Sequence, residues 1–344
     1  MRRGPSLPIM SAKPHAMNIE IVDAEGARAR LPMKDCIQAM AVAMAAVSRK
    51  SATMPSRIIF PLAASGDFLA VMPGSVADPP IHGAKLVTLY PGNPVLGRPA
   101  IQGFIAIFDP QSGAPVALVD GAEITAARTA AASALATRLL ARSQARTLGI
   151  LGCGVQAGSH LEAISLVRDI EDVRVWGRCF DKAKAFADRH ARTFRGRIRA
   201  VRSGEEAAAS DVVCAVTGAD QPVLRSEWVQ PGTHINLVGA HSPANREADT
   251  PLIARSRLFV DSIDSALKES GDILIPLQEG AINASHIIGE IGSVLLGELE
   301  GRQSEGEVTI YKSLGLVVQD LVAAHAVIAA AREGQFESNR SGLA

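Results

Sequence analysis

Gly152-Cys153-Gly154-Val155-Gln156-Ala157 is the most chemically legible segment of this 344-residue chain. It follows the apolar run 147–151 and precedes a helical pattern. The first glycine permits a tight turn, and the second lets the backbone approach a pyrophosphate. Small Ala157 permits close packing of helix on strand. Free N–H groups at the helix start then face the anion. A purely structural glycine turn carries the same letters. The strand before it and the βα series it opens favour a dinucleotide site. The next strand, 173–176, runs into Gly177-Arg178-Cys179, without the Asp or Glu that holds a ribose 2′-hydroxyl. A guanidinium there pairs with a 2′-phosphate. The expected cofactor is therefore NADPH, with NADH as second candidate; Asp181 just beyond works against the pairing.

Three cations sit in unusual settings. Arg57 opens an apolar strand after Pro55, and Lys85 begins Lys85-Leu86-Val87-Thr88. Arg128 lies on an otherwise apolar helix, in Thr125-Ala126-Ala127-Arg128-Thr129-Ala130. A cation withdrawn from water needs an anionic partner. A substrate carboxylate, gripped bidentately by Arg, would serve. Taken singly, each could instead be a surface side chain that snorkels to solvent. His82 and His234 read as structural. Cys36, Cys153, Cys179 and Cys214 form no C-x-x-C pair and no zinc spacing. Cys153 and Cys214 lie in apolar strand-like segments and read as buried, reduced thiols of a cytoplasmic protein. With neither H-E-x-x-H nor a His/Cys cluster, no catalytic metal is expected.

These residues need elements to position them. Residues 17–24 read as a strand and 33–47 as a helix. Short β-rich runs follow at 57–62, 67–72, 85–89, 103–108 and 115–119. Asp109-Pro110-Gln111-Ser112-Gly113 marks a hairpin loop between the last two. Nothing here alternates with helices, so this sheet is expected to be mostly antiparallel. Ala-rich 124–142 reads as a long connecting helix. Six apolar strands follow, at 147–151, 173–176, 198–201, 212–216, 234–238 and 258–261, most separated by helices. That pattern predicts an α/β, Rossmann-type, doubly wound parallel sheet. A last helix, 314–332, could return to the first domain.

At these residues the chain resembles the ornithine cyclodeaminase/μ-crystallin family over 32–333. The most specific piece is Asp120-Gly121-x-x-Ile124-Thr125-Ala126-x-Arg128-Thr129-Ala130-Ala131. Met72-Pro73, Gly83-x-Lys85-Leu86-Val87 and the Gly152 loop also match, as do His234-Ile235-Asn236-x-Val238-Gly239, Ser270-Gly271-Asp272 and Lys312-Ser313-x-Gly315. The resemblance implies a homodimer whose α+β substrate and dimerisation domain carries the subunit contact. It implies a substrate-carboxylate grip of Arg57, Lys85 and Arg128, with Met72 beside it. The implied cofactor contacts are Thr129, Gly152, Gly154, Val155, Gln156, Ala157, Arg178, Cys179, Thr217 and Val238.

One departure bears on the reaction. His241 stands where cyclodeaminases of this family carry an Asp. A neutral imidazole cannot supply the same anionic stabilisation. The resemblance therefore points to the ketimine reductase branch, which reduces Δ1-pyrroline-2-carboxylate or Δ1-piperideine-2-carboxylate to L-proline or L-pipecolate. Lys85 and His241 are the catalytic candidates. His241 would donate a proton or organise water, or serve only as a polar pocket residue. A redox-neutral cyclodeaminase with held NAD, a non-catalytic NADPH-dependent binding protein and a reductive aminase are the alternatives.

The expected division is a disordered extension over 1–16, a substrate and dimerisation domain over 17–125 with 313–340, a connecting helix over 126–144 and the NADP(H) domain over 145–312. The expected partner is a small cyclic imino acid. Formal net charge is zero and aromatic content only 4%, which disfavours nucleic acid and anionic membranes. No run of 18 apolar residues suggests a membrane span.

Overall fold

The computed structural model describes residues 18–62 and 66–341. The extension expected over 1–16 lies outside them, as does Met17. The first strand, β1 (Glu20–Val22), is shorter than 17–24. Asp23 ends it by accepting the Gly26 N–H at 2.8 Å, which caps α1 (Ala24–Arg30), a helix the sequence reading did not contain. The Met- and Ala-rich helix forms as expected, as α2 (Met33–Ser48).

Next come β2 (Ala52–Thr53), β3 (Ile58–Pro61), β4 (Phe68–Val76), β5 (Ile81–Leu89), β6 (Ile101–Phe108) and β7 (Pro115–Asp120). They join β1 in one sheet, ordered β1-β7-β6-β5-β4-β2, with β3 also pairing β4. Every pairing is antiparallel except β1 with β7. The β6–β7 hairpin turns at Asp109, whose carboxylate accepts the N–H groups of Gln111 and Ser112.

α3 (Gly121–Leu140) starts earlier than 124, because Asp120 accepts the Glu123 N–H at 2.7 Å and caps it. Its alanines admit neighbours at close range. It packs against α2 and β6, and against two strands of the second sheet, β12 and β15, placed below.

The second half alternates strand and helix: β8 (Thr147–Leu151), α4 (Val155–Ser165), β9 (Asp172–Trp176), α5 (Phe180–His190), β10 (Arg197–Ala200), α6 (Gly204–Ala208), β11 (Val212–Ala215) and β12 (His234–Leu237). It continues with α7 (Thr250–Arg255), β13 (Arg257–Val260), α8 (Ile263–Glu269), α9 (Gly271–Gln278), β14 (Ile287–Glu290), α10 (Ile291–Leu295) and β15 (Thr309–Lys312). All eight strands are parallel, ordered β10-β9-β8-β11-β12-β15-β13-β14. The fold is thus α/β, with a doubly wound parallel sheet beside a mostly antiparallel one. α11 (Val317–Ser341) returns to pack on α2, β4 and β5. Among the described residues, no helix is long and apolar enough to cross a membrane.

β14 and β15 are missing from the six-strand expectation. Gly289 interrupts one and Lys312 ends the other, and both letters read as loop. Lys312 is tolerated in the core because its Nζ donates to Asp272 Oδ2 at 2.8 Å and to Ala240 O at 2.5 Å. Neither side chain of that pair reaches solvent. The helical stretch expected at 314 begins only at Val317, because Asp261 binds the N–H groups of Leu314 and Gly315 in a turn. Cys153 also departs from expectation. It lies in the loop after β8 and is half-buried, whereas Cys214 is buried in β11.

Removing one member of a buried pair leaves the other charge uncompensated. Lys312→Met is expected to cost about 3–5 kcal/mol in urea denaturation. A loss below about 1 kcal/mol would show that Asp272 does not depend on its cation.

Candidate active site

The glycine loop has the shape its letters predict. Gly152 has φ of 120°, and a Cβ there would lie 2.8 Å from Val216 O, so no other residue fits. A Cβ at Gly154 would meet nothing within 4 Å. Open space therefore lies before α4, whose N-cap Gly154 offers no side-chain cap. Val155 is exposed there and Ala157 is buried beneath. This cradle fits a dinucleotide pyrophosphate. Arg178 lies exposed beyond β9, with no ion pair among the described residues. Asp181 lies in the first turn of α5. Exposed Cys179 is the N-cap of α5, without a side-chain capping bond. Val238 follows β12 and is half-buried. Thr217 differs from expectation, because its Oγ1 is engaged by Glu247 at 2.7 Å.

The cations find protein partners that the sequence reading missed. Lys85 Nζ donates to Asp320 Oδ1 at 2.8 Å and to Thr125 Oγ1 at 2.6 Å. Arg128 Nε donates to the same Asp320 oxygen at 3.0 Å, and Nη1 to Gln319 Oε1 at 2.8 Å. All three charged groups are buried, and Asp320 Oδ2 has no partner. Burial alone would raise the Asp320 carboxyl, but the Arg128 and Lys85 charges outweigh it and hold it below its ordinary value. Burial dominates at Lys85 and lowers its pKa to about 8, although Asp320 pulls the other way. The visible signal was a carboxylate, Asp320, on an otherwise apolar helix face.

Arg57 reaches the wall of a cavity of about 120 Å³, lined also by Met72, Glu269, Gly315 and Leu316. Its Nη2 lies 2.7 Å from Glu269 Oε2 and donates to Gly315 O at 3.3 Å. Gly315 has φ of 82°, and a Cβ there would meet Arg128 Nη1 at 2.6 Å. Lys85 and Arg128 thus lie behind the wall that Arg57 and Met72 face. Met72 is the cross-strand partner of Lys85.

The glycine loop meets this cluster on α3. Gln156 Nε2 donates to Thr125 O at 3.4 Å, and Thr129 Oγ1 donates to the same oxygen at 2.6 Å. Gln156 Oε1 is buried without a partner. His160 is a structural residue between Gln156 O and Ser133 Oγ, its pKa lowered by burial to about 4. His234 is buried against Thr309 Oγ1 and is likewise neutral, at about 3.

Residues 20–335 match the Ornithine cyclodeaminase/mu-crystallin family. The chain belongs to that family. It is 42% identical over 274 residues to the ketimine reductase mu-crystallin of Mus musculus, covering 79% of this chain and 83% of that one. It is 36% identical over 306 residues to the Delta(1)-pyrroline-2-carboxylate reductase of Bacillus cereus, covering 88% and 94%. The solved Thermococcus litoralis Delta(1)-pyrroline-2-carboxylate reductase, in complex with NADH and L-proline, superposes with a TM-score of 0.89 at 36% identity, over 92% of this chain and 98% of that one.

His241 lies exposed in the loop after β12. Its Nδ1 lies 3.1 Å from Gly239 O. A carbonyl only accepts, so Nδ1 carries the hydrogen and Nε2 is left as an acceptor. Burial chiefly lowers its pKa, helped by Lys312 and Arg57, so the ring is neutral at pH 7. Glu247 shapes this segment by accepting the N–H groups of Thr217 at 2.7 Å and Gly239 at 2.6 Å.

Lys85 must be protonated to hold an anion. Affinity for a small carboxylate such as pyrrole-2-carboxylate is expected to fade as pH rises through about 8. Asp320→Asn removes the charge that raises Lys85, so the fade moves to lower pH. Calorimetric titration across pH 6–10 (roughly centred on that value) checks this, and an unmoved limb removes Asp320 from the site.

Proposed function

We propose that this family member reduces a cyclic ketimine carboxylate, Δ1-pyrroline-2-carboxylate or Δ1-piperideine-2-carboxylate, to L-proline or L-pipecolate with NADPH. One observation carries the reading. Lys85, through Thr125, joins the carboxylate-binding cations to Gln156 of the glycine loop, so an anionic substrate and a dinucleotide meet on one helix. The resemblance to reductases named for these imines supports the same substrate class.

Gly152, Gly154, Val155, Gln156 and Ala157 hold the pyrophosphate, and Thr129, Thr217 and Val238 flank the path to the cation cluster. Thr217 contributes its position rather than its hydroxyl, which Glu247 occupies. Unpaired Arg178, with Cys179 beside it, meets the 2′-phosphate and favours NADPH over NADH. When bound in this cradle, NADPH would supply the hydride for the carbon of the C=N bond. Arg57 grips the carboxylate on that carbon, the buried Lys85 and Arg128 add positive charge behind it, and Met72 lies against the ring. His241 Nε2 accepts the N–H of the protonated imine or holds a water beside it, which orients the electrophile. A neutral ring there lacks the anion a cyclodeaminase uses.

The chain acts as a homodimer in this reading. Ile58, Ile59 and Phe60 on β3 are each about half exposed, at 49%, 51% and 49%, an apolar patch suited to a second copy. A cytoplasmic setting suits four unpaired thiols, one of them exposed.

Mixing the protein with NADPH and either imine is expected to consume reduced cofactor, followed by its absorbance. No consumption with either ring overturns the function. Arg178→Asp is expected to reverse the NADPH-over-NADH preference in kcat/KM by at least about tenfold, the scale of one lost charge-assisted contact. An unchanged preference would take Arg178 out of the site.

A further inference from the structure

Arg57 already holds a carboxylate. Its Nη2 touches Glu269 Oε2 at 2.7 Å, and both side chains are partly exposed, at 21% and 25%. The two come from opposite sides of the cleft. Arg57 leads into β3 of the antiparallel sheet, and Glu269 closes α8 beside the parallel one. Together they line the cavity that also contains Met72, Asp264 and Lys268.

The contact differs from the one beneath it. Asp320 is fully buried and accepts aligned bonds from two cations. Glu269 Oε2 is close to Arg57 yet has no aligned hydrogen-bond donor. A touching but misaligned ion pair between partly exposed side chains forgoes the aligned bonds that make such pairs strong. A ligand carboxylate can offer Arg57 two parallel acceptors, which Glu269 does not. Arg57 keeps its bond to Gly315 O, so its head stays aimed into the cavity when the partner changes.

We propose that Glu269 is an internal stand-in for the substrate carboxylate, a latch across the cleft. It occupies Arg57 until a ligand carboxylate displaces it, and re-forms the pair as product leaves. This rests on the reading that Arg57 receives the substrate carboxylate. The competition sets a threshold that selects ligands. An anion must engage Arg57 bidentately, with support from the Lys85–Arg128 side, to exceed what Glu269 already supplies. The other titratable groups around the pair are Lys85, His241, Asp264 and Lys268. None of them forms an ion pair with either member among the described residues.

The test is equilibrium binding of pyrrole-2-carboxylate, a planar, non-reducible carboxylate, to the full chain by calorimetry at neutral pH. A latch closed about nine-tenths of the time weakens apparent affinity about tenfold. Glu269→Gln is isosteric and uncharged, so its Kd is expected to fall about three- to tenfold on that arithmetic. In an Arg57→Gln background the same change is expected to give no gain. Equal or weaker binding by Glu269→Gln overturns the latch, as does a gain that persists without Arg57. Because the readout needs no turnover, it is separate from the imine assay, whose failure overturns the function instead.

Discussion

One carboxylate oxygen organises this molecule. Asp320 Oδ1 accepts from Lys85 on β5 and Arg128 on α3. Asp320 itself rides on α11, so three elements from distant parts of the chain meet at a single atom. Two like charges this close would repel in a medium that screens poorly. The shared anion lets them stand side by side in the core. With two cations and one anion, the cluster keeps one net positive charge, which a substrate carboxylate can neutralise. Asp320 Oδ2 is buried beside them without a hydrogen-bond partner.

The opposite wall rests on a second buried pair. Lys312 reaches Ala240 O and Asp272, and Asp272 in turn accepts the N–H groups of Glu247 and Ala248. Glu247 then fixes Thr217 and Gly239 at the ends of β11 and β12. A Cβ at Gly239 would lie 1.8 Å from Thr217 O, so the two strand ends are pressed together. This stack sets the backbone from which His241 projects. Its contact with Gly239 O selects the tautomer, and burial, helped by the Lys312 and Arg57 charges, lowers its pKa. Both walls are thus tied together by buried pairs, while the Arg57–Glu269 contact across the rim joins two partly exposed side chains without an aligned hydrogen bond.

The sequence alone determined the parts whose physics is local. Gly152 and Gly154 need only their immediate backbone to declare a phosphate cradle, and the strand period and alanine-rich helix declare themselves within a dozen residues. Resemblance over most of the chain named the cation group and the odd His241. The sequence did not show that Asp23 starts a helix directly after the first strand, or that Thr217 spends its hydroxyl on Glu247. Nor did it show that a strand ending in Lys312 runs through the middle of a sheet. Only the tertiary structure decided what each buried charge faces. Lys85 and Asp320 are 235 residues apart, and Arg57 precedes a strand of one sheet while Glu269 ends a helix beside the other. A burial penalty and the pairing that offsets it depend on distances of a few ångströms in space. No spacing along the chain encodes those distances until β15 and α11 bring its end back to its beginning.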